Sequence, residues 1–112
     1  MSEKYLKKHR LRKKKDFLKL FLKKNQIHGK FIIIDYLFTE RATLRLGISA
    51  STKFGKAHIR NRFKRQIREI FRKSHLSYTK SADINIRPIS LAKDATFSQL
   101  EEDYLLLLKK ML

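Results

Sequence analysis

The segment Lys53 to Lys73, KFGKAHIRNRFKRQIREIFRK, constrains the fold more than any other stretch of the chain. Advancing about 100° per residue, Ile59, Phe63, Ile67, Ile70 and Phe71 fall on one arc about 120° wide, a stripe suited to a core. Lys64, Arg65, Arg68 and Arg72, with Asn61, project from an adjoining arc. One helix is thus predicted to pack with one face and bind with the other. Arg60 points between Ile67 and Phe71, which places the first turn at the rim of the core, where a guanidinium stays solvated or reaches a ligand. A surface helix usually offsets its charges by pairs one turn apart. Here Glu69 is the only acidic residue against nine Lys and Arg, so the repulsion is left for a polyanion to relieve.

The rest of the chain sharpens this contrast. The net charge is +18, of which residues 1–15 carry +7 and residues 53–73 carry +8, leaving +3 for the other 76 residues. Charge gathered in a tail and one helix is the pattern of phosphate binding rather than of general solubility. With 112 residues, three Gly and one Pro, a single domain is expected, large enough to bury roughly two-thirds of its unfolded-chain surface. The absence of Cys excludes disulfides and thiolate metal sites. No apolar signal core follows Met1, and the aliphatic runs Ile32 to Ile34 and Leu105 to Leu108 are too short to span a bilayer. No membrane association is expected, and the predicted location is the cytoplasm.

In chain order, residues 1–15 read as a basic arm whose sizeable apolar side chains are Tyr5, Leu6 and Leu11, too few to order it. A single domain is predicted for residues 16–112. Asp16 to Lys24 has Phe17, Leu20 and Phe21 at helical spacing, with lysine where a capping residue is wanted. Asn25 to His28 is expected as a short strand. Phe31 to Phe38 is a strong one, and Thr43 to Ala50 alternates Leu44, Leu46, Ile48 and Ala50 against Arg45, Gly47 and Ser49. The turn Thr39 to Ala42 suggests that these two strands form a hairpin. Ser51 to Gly55 is a loop, and the start of the helix that follows adds backbone amides to the cationic side chains. Asp83 to Arg87 alternates as a strand ended by Pro88. Thr96 and Gln99 form a capping-box pattern for a last helix with Leu100, Tyr104, Leu107, Leu108 and Met111 on its apolar side. Glu101, Glu102 and Asp103 in its first turns suit the helix dipole. The predicted order is α-β-β-β-α-β-α in an α/β layer architecture, with the order of strands in the sheet left open.

Nothing in the residues points to an active site carried by the chain alone. His9, His28, His58 and His75 form no metal-spaced pair. The ten acidic residues are scattered, and no P-loop, Gly-rich fingerprint or nucleophile elbow is present. The predicted chemistry is binding, with no catalytic residue, no metal ligands and no cofactor held by a protein motif.

Gly55, Ala57, Arg60-Asn61-Arg62, Lys64-Arg65 and Arg68 together resemble the signature of the bacterial ribonuclease P protein family. Arg10-Leu11, Asp16-Phe17 and Phe21 resemble the opening of that family. Leu44 to Ser49 resembles its strand before the loop, and Asp83 onwards its last strand. The resemblance implies an α/β (α+β) two-layer sandwich, a mixed sheet and a left-handed β-α-β crossover. It implies a subunit of a tRNA-processing ribonucleoprotein whose catalytic RNA, with Mg2+, removes the 5′ leader of precursor tRNA. The partners would be that RNA subunit and precursor tRNA, with no obligate protein partner. Carried over by position, Lys53, Lys56, Arg60, Asn61, Arg62, Lys64, Arg65 and Arg68 would bind RNA. Phe17, Phe21, Arg45 and Ser49 would belong to a cleft for the leader.

The chain departs from the family pattern at several positions. Ile34 stands where the family often has an aromatic residue, with Tyr36 on the same side by alternation. Thr52 replaces a common lysine while Lys56 supplies one nearby, His58 occupies a usually apolar position, and Lys14 sits where a capping residue is common. Two other readings stay open on the residues alone. One is a general RNA-binding or ribosome-associated protein without a part in cleavage, the other a nuclease that acts by itself.

Overall fold

In the computed structural model, which describes residues 10–11, 13–23, 25–40, 43–74 and 81–111, the amphipathic segment opens with a turn. The Phe54 N–H closes that turn on the Ser51 carbonyl at 3.0 Å, and helix α2 then runs Ala57–Ser74. Before it come helix α1 (Lys14–Lys23) and strands β1 (Asn25–His28), β2 (Ile32–Phe38) and β3 (Leu44–Ile48). After it come strand β4 (Ala82–Pro88), a 3-10 turn at Ser90–Asp94 and helix α3 (Phe97–Met111). The predicted order of elements is the observed one. No helix among the described residues is long and apolar enough to cross a membrane.

The expected hairpin between β2 and β3 does not form. The sheet order is β1-β2-β4-β3, with β2 antiparallel to β4 and β3 parallel to it. Burial explains the insertion of β4 between them. Ala82 through Ile86 are all buried, on both faces, a state open only to a strand paired along both edges and covered above and below. The 18 residues of α2 extend about 27 Å, enough to carry the chain back from the end of β3 to the start of a parallel neighbour, as such a crossover requires. The result is a mixed α+β fold. Pro88 is tolerated because it is the last residue of β4.

One face of the sheet is apolar and carries the core. Ile32, Ile34, Leu44, Leu46, Ala82, Ile84 and Ile86 meet Phe63, Ile67, Ile70 and Phe71 of α2 and Leu100, Tyr104, Leu107, Leu108 and Met111 of α3. The stripes predicted for both helices are therefore the buried ones. The capping box of α3 is also present: the Thr96 N–H donates to Gln99 Oε1 (2.9 Å) and the Gln99 N–H to Thr96 Oγ1 (3.1 Å). Asp103 has a different role from the one expected. Its buried carboxylate accepts the backbone N–H groups of Lys30, Phe31 and Ile32 at 3.0, 2.9 and 3.2 Å. It thus fixes the β1–β2 turn, with Gly29 so close that a Cβ there would lie 2.5 Å from the carboxylate.

The expected arm, residues 1–15, falls outside the described residues over 1–9 and at 12. Its remainder belongs to the fold. Arg10 bridges Leu46 in parallel, the Leu11 N–H donates to the Leu46 carbonyl at 2.9 Å, and Leu11 is buried. Helix α1 begins at Lys14, so the boundary expected after Lys15 cuts through its first turn. A single leucine suffices because β3 is an edge strand and offers it a backbone partner. The turn predicted at Thr39–Ala42 lies partly outside the described residues.

Candidate nucleic-acid interface

The second face of the sheet is largely polar, because Arg45, Gly47, Asp35, Asp83, Asn85 and Arg87 alternate with the core positions, joined there by Ile33 and Leu37 of β2. Helix α1 crosses this face, meeting β2 as well as β3, and is anchored by an ion cluster. Arg45 Nε and Nη2 donate to the two carboxylate oxygens of Asp83 at 2.7 and 2.8 Å, and Nη1 donates to Asp16 Oδ2 at 3.3 Å. Its hydrogen bonds to Asp83, together with the fields of both carboxylates, hold the guanidinium pKa above its already high ordinary value. The side chains are 12%, 6% and 8% exposed for Arg45, Asp83 and Asp16. Arg45, expected in a cleft for the leader, thus clamps α1 to the sheet.

The aromatic ring of Phe17 rests on this same face. A Cβ at Gly47 would come within 2.8 Å of Phe17 Cε1 and 3.1 Å of Asn85 Oδ1, so the glycine is what allows the ring to pack against the strand. Phe17 is half-buried, whereas Phe21, one turn on, is 50% exposed. Beside Phe17, at the β3 edge, opens a hollow of about 460 Å³ whose wall includes Arg10, Gly47, Ile48, Lys64 and Arg68. The ring of α1 and two cations of α2 thus face one space, although 47 and 51 residues separate Phe17 from Lys64 and Arg68 in sequence.

The other predicted cations spread outward along α2. Lys56, Asn61, Arg62, Arg65 and Arg68 are exposed, as is Lys53 on the preceding turn, while Lys64 is half-buried. Among the described residues no carboxylate pairs with Lys53, Lys56, Arg62, Lys64, Arg65 or Arg68. Arg60 lies at the rim as expected, with Nε donating to the Gly55 carbonyl at 3.1 Å. Glu69 is bonded by Arg72 (Nε 3.0 Å), which holds its carboxyl below its ordinary range. That pair subtracts one charge from the array and leaves the rest.

Ser49 is separate from the hollow beside Phe17. Its hydroxyl donates to Asn85 Oδ1 at 3.1 Å, and it lines a smaller depression with Ser51 and Arg87. Asn85, beside Phe17 and bonded by Ser49, is a residue that sequence reasoning missed, although its signal was available: an amide in the polar register Asp83, Asn85, Arg87 of the strand. Arg10, which lines the hollow, belongs to the expected arm and to the stretch that resembles the family's opening, but is not among the expected site residues. Ile34 and Tyr36 share a side, as alternation requires, but Ile34 is wholly buried in the core, on the face opposite Phe17. His9 and His75 lie outside the described residues, and His58 is exposed on α2.

With this geometry in place, relatives are recognisable. Residues 6–112 match the family model for ribonuclease P. The ribonuclease P protein component of Thermotoga petrophila is 38% identical over 88 residues, 79% of this chain and 75% of that protein. The component from Alkaliphilus oremlandii is 35% identical and aligns over 92% of this chain and 90% of its own length. Among solved structures, the RNase P protein from Thermotoga maritima superposes with a TM-score of 0.83 at 33% identity, covering 90% of this chain and 96% of that one. The RNase P protein of Staphylococcus aureus gives 0.82 at 34% identity, over 92% and 94%. Likeness of this extent in both sequence and fold makes the chain a member of the ribonuclease P protein family.

Proposed function

We propose that this chain binds a catalytic RNA through the exposed cations of α2 and the single-stranded 5′ leader of precursor tRNA through the hollow beside Phe17. In that role it promotes removal of the leader in the bacterial cytoplasm. The carrying observation is the convergence of Phe17, Lys64 and Arg68 on one space beside an array of cations that no described carboxylate neutralises. Leaders differ in sequence, so the fitting chemistry is phosphate neutralisation and stacking, the latter worth about 1–3 kcal/mol per base. The RNA subunit would hold Mg2+ and carry out hydrolysis of the phosphodiester. By reducing phosphate repulsion, the protein would let that RNA keep its ions at lower magnesium.

Reconstitution with a ribonuclease P RNA tests this reading. Cleavage of precursor tRNA should require the RNA and improve on adding the chain, most at low magnesium. Cleavage by the chain alone would establish a protein nuclease. Binding without any enhancement would establish a general RNA-binding protein.

A further inference from the structure

Past Phe17, the polar face of the sheet continues for one more row. The Ser49 N–H donates to the Ile86 carbonyl at 3.0 Å, extending the β3–β4 pairing by one residue and setting Ser49 beside Arg87. This row lies two residues, about 7 Å, beyond Gly47 and Asn85. Ser49, Ser51, Phe54, Arg87 and Pro88 line a depression of about 200 Å³ there. That is below the roughly 300 Å³ at which pockets for drug-sized molecules begin, and it suits a single charged group on an apolar base.

Arg87 is held for such a group. Its Nε and Nη2 donate to Asp35 at 2.8 and 3.1 Å, and Gln26 Nε2 donates to the same carboxylate at 2.8 Å. Asp35 is wholly buried, while the Arg87 side chain is 33% exposed. The buried carboxylate therefore fixes the guanidinium plane, and one edge of it is left toward solvent. Among the described residues nothing accepts from Arg87 Nη1, and the Ser51 hydroxyl has no partner. Lys53 is exposed on the turn that Ser51 begins, so the local field stays positive although Asp35 offsets Arg87. Ser49, through its bond to Asn85, joins this depression to the floor under Phe17.

We infer that Arg87, positioned by Asp35 and assisted by Ser51, binds a phosphodiester of the leader beyond the nucleotide that rests on Phe17. The inference rests on the reading of the Phe17 hollow as the leader site. A planar guanidinium oriented in advance loses little freedom when it meets a phosphate, and charge-assisted hydrogen bonds of this kind are the strong ones. The contact is blind to base identity, as variable leaders require.

The experiment uses holoenzyme reconstituted with the catalytic RNA and precursor tRNAs whose leaders lengthen one nucleotide at a time. The variants are the double substitution Asp35→Asn/Arg87→Gln, which keeps the net charge and leaves no buried charge unpaired, and Ser51→Ala on the exposed turn. Both should bind leaderless and shortest-leader RNAs as the wild type does, and lose roughly three- to tenfold once the leader passes Phe17. For the double variant, the slope of log affinity against log salt should become shallower by about 0.7. Wild-type affinity at every leader length overturns the inference, as does an equal loss for leaderless tRNA. Should the double variant fail to fold, Ser51→Ala decides alone by the same criterion. If the wild-type holoenzyme gains nothing from any leader, the parent reading fails and takes this one with it. A gain in the wild type that both variants retain sinks only the assignment of Arg87.

Discussion

Replacing Arg45 by leucine separates a structural clamp from a ligand contact. The substitution takes from Asp16 and Asp83, 7% and 4% exposed, the guanidinium that bonds both, and breaking a buried ion pair by removing one member costs about 3–5 kcal/mol. At about 4 °C per kcal/mol for a domain near this size, Tm should fall by roughly 12–20 °C. The sign of the pH dependence follows from the direction of the Arg45 shift. A folded-state pKa raised above the already high ordinary value of arginine stabilises the fold at every pH at which the unfolded chain keeps that group protonated and is lost only in stronger alkali, so the Arg45 contribution should not vary between pH 6 and 9. Thermal melts at several pH values, followed by leader-binding titrations on whatever remains folded, measure both effects. Replacing Asp83 by leucine should cost less on top of Arg45→Leu than in the wild type, because the two act as one unit. A Tm within about 4 °C of wild type, joined to a large loss of leader affinity, would refute the clamp and restore Arg45 to the cleft.

Other outcomes follow from the same geometry. Arg68→Ala should weaken RNA binding and reduce its salt slope by about 0.7–0.9 for one lost phosphate contact while leaving Tm nearly unchanged; an unaltered slope in a filter-binding titration would remove Arg68 from the interface. Gly47→Ala should drive the Phe17 ring off the strand, since the new Cβ would lie 2.8 Å from it. The cost should be about 1–3 kcal/mol of stability from overpacking and a loss of discrimination between leader-bearing and mature tRNA, read by competition binding. Asp103→Ala should destabilise by about 2–4 kcal/mol, because three N–H groups lose a charged acceptor. In urea melts that loss should appear without any change in RNA affinity at temperatures where the variant is folded.

Much of the molecule could be read along the chain because its causes are local. The stripe Phe63, Ile67, Ile70 and Phe71 and the cation face beside it depend only on helical repeat, and the box is formed by Thr96 and Gln99, three positions apart. The pairing of strands was not legible. A β2–β3 hairpin is as compatible with alternation as the observed arrangement, and only the need to bury both faces of Ala82 to Ile86 places β4 between them. The same limit applies to ions. Arg45 meets carboxylates 29 and 38 residues away, and Asp103 meets amides 71 to 73 residues away. A charge pattern shows that a residue is cationic but not whether the fold has already paired it. Sequence by itself thus determined the helices, their buried faces and the cationic surface of α2. Tertiary structure decided which of the described cations are held by carboxylates and which are not, because hydrogen-bond partners in a sheet are chosen by proximity in space, which local periodicity does not encode.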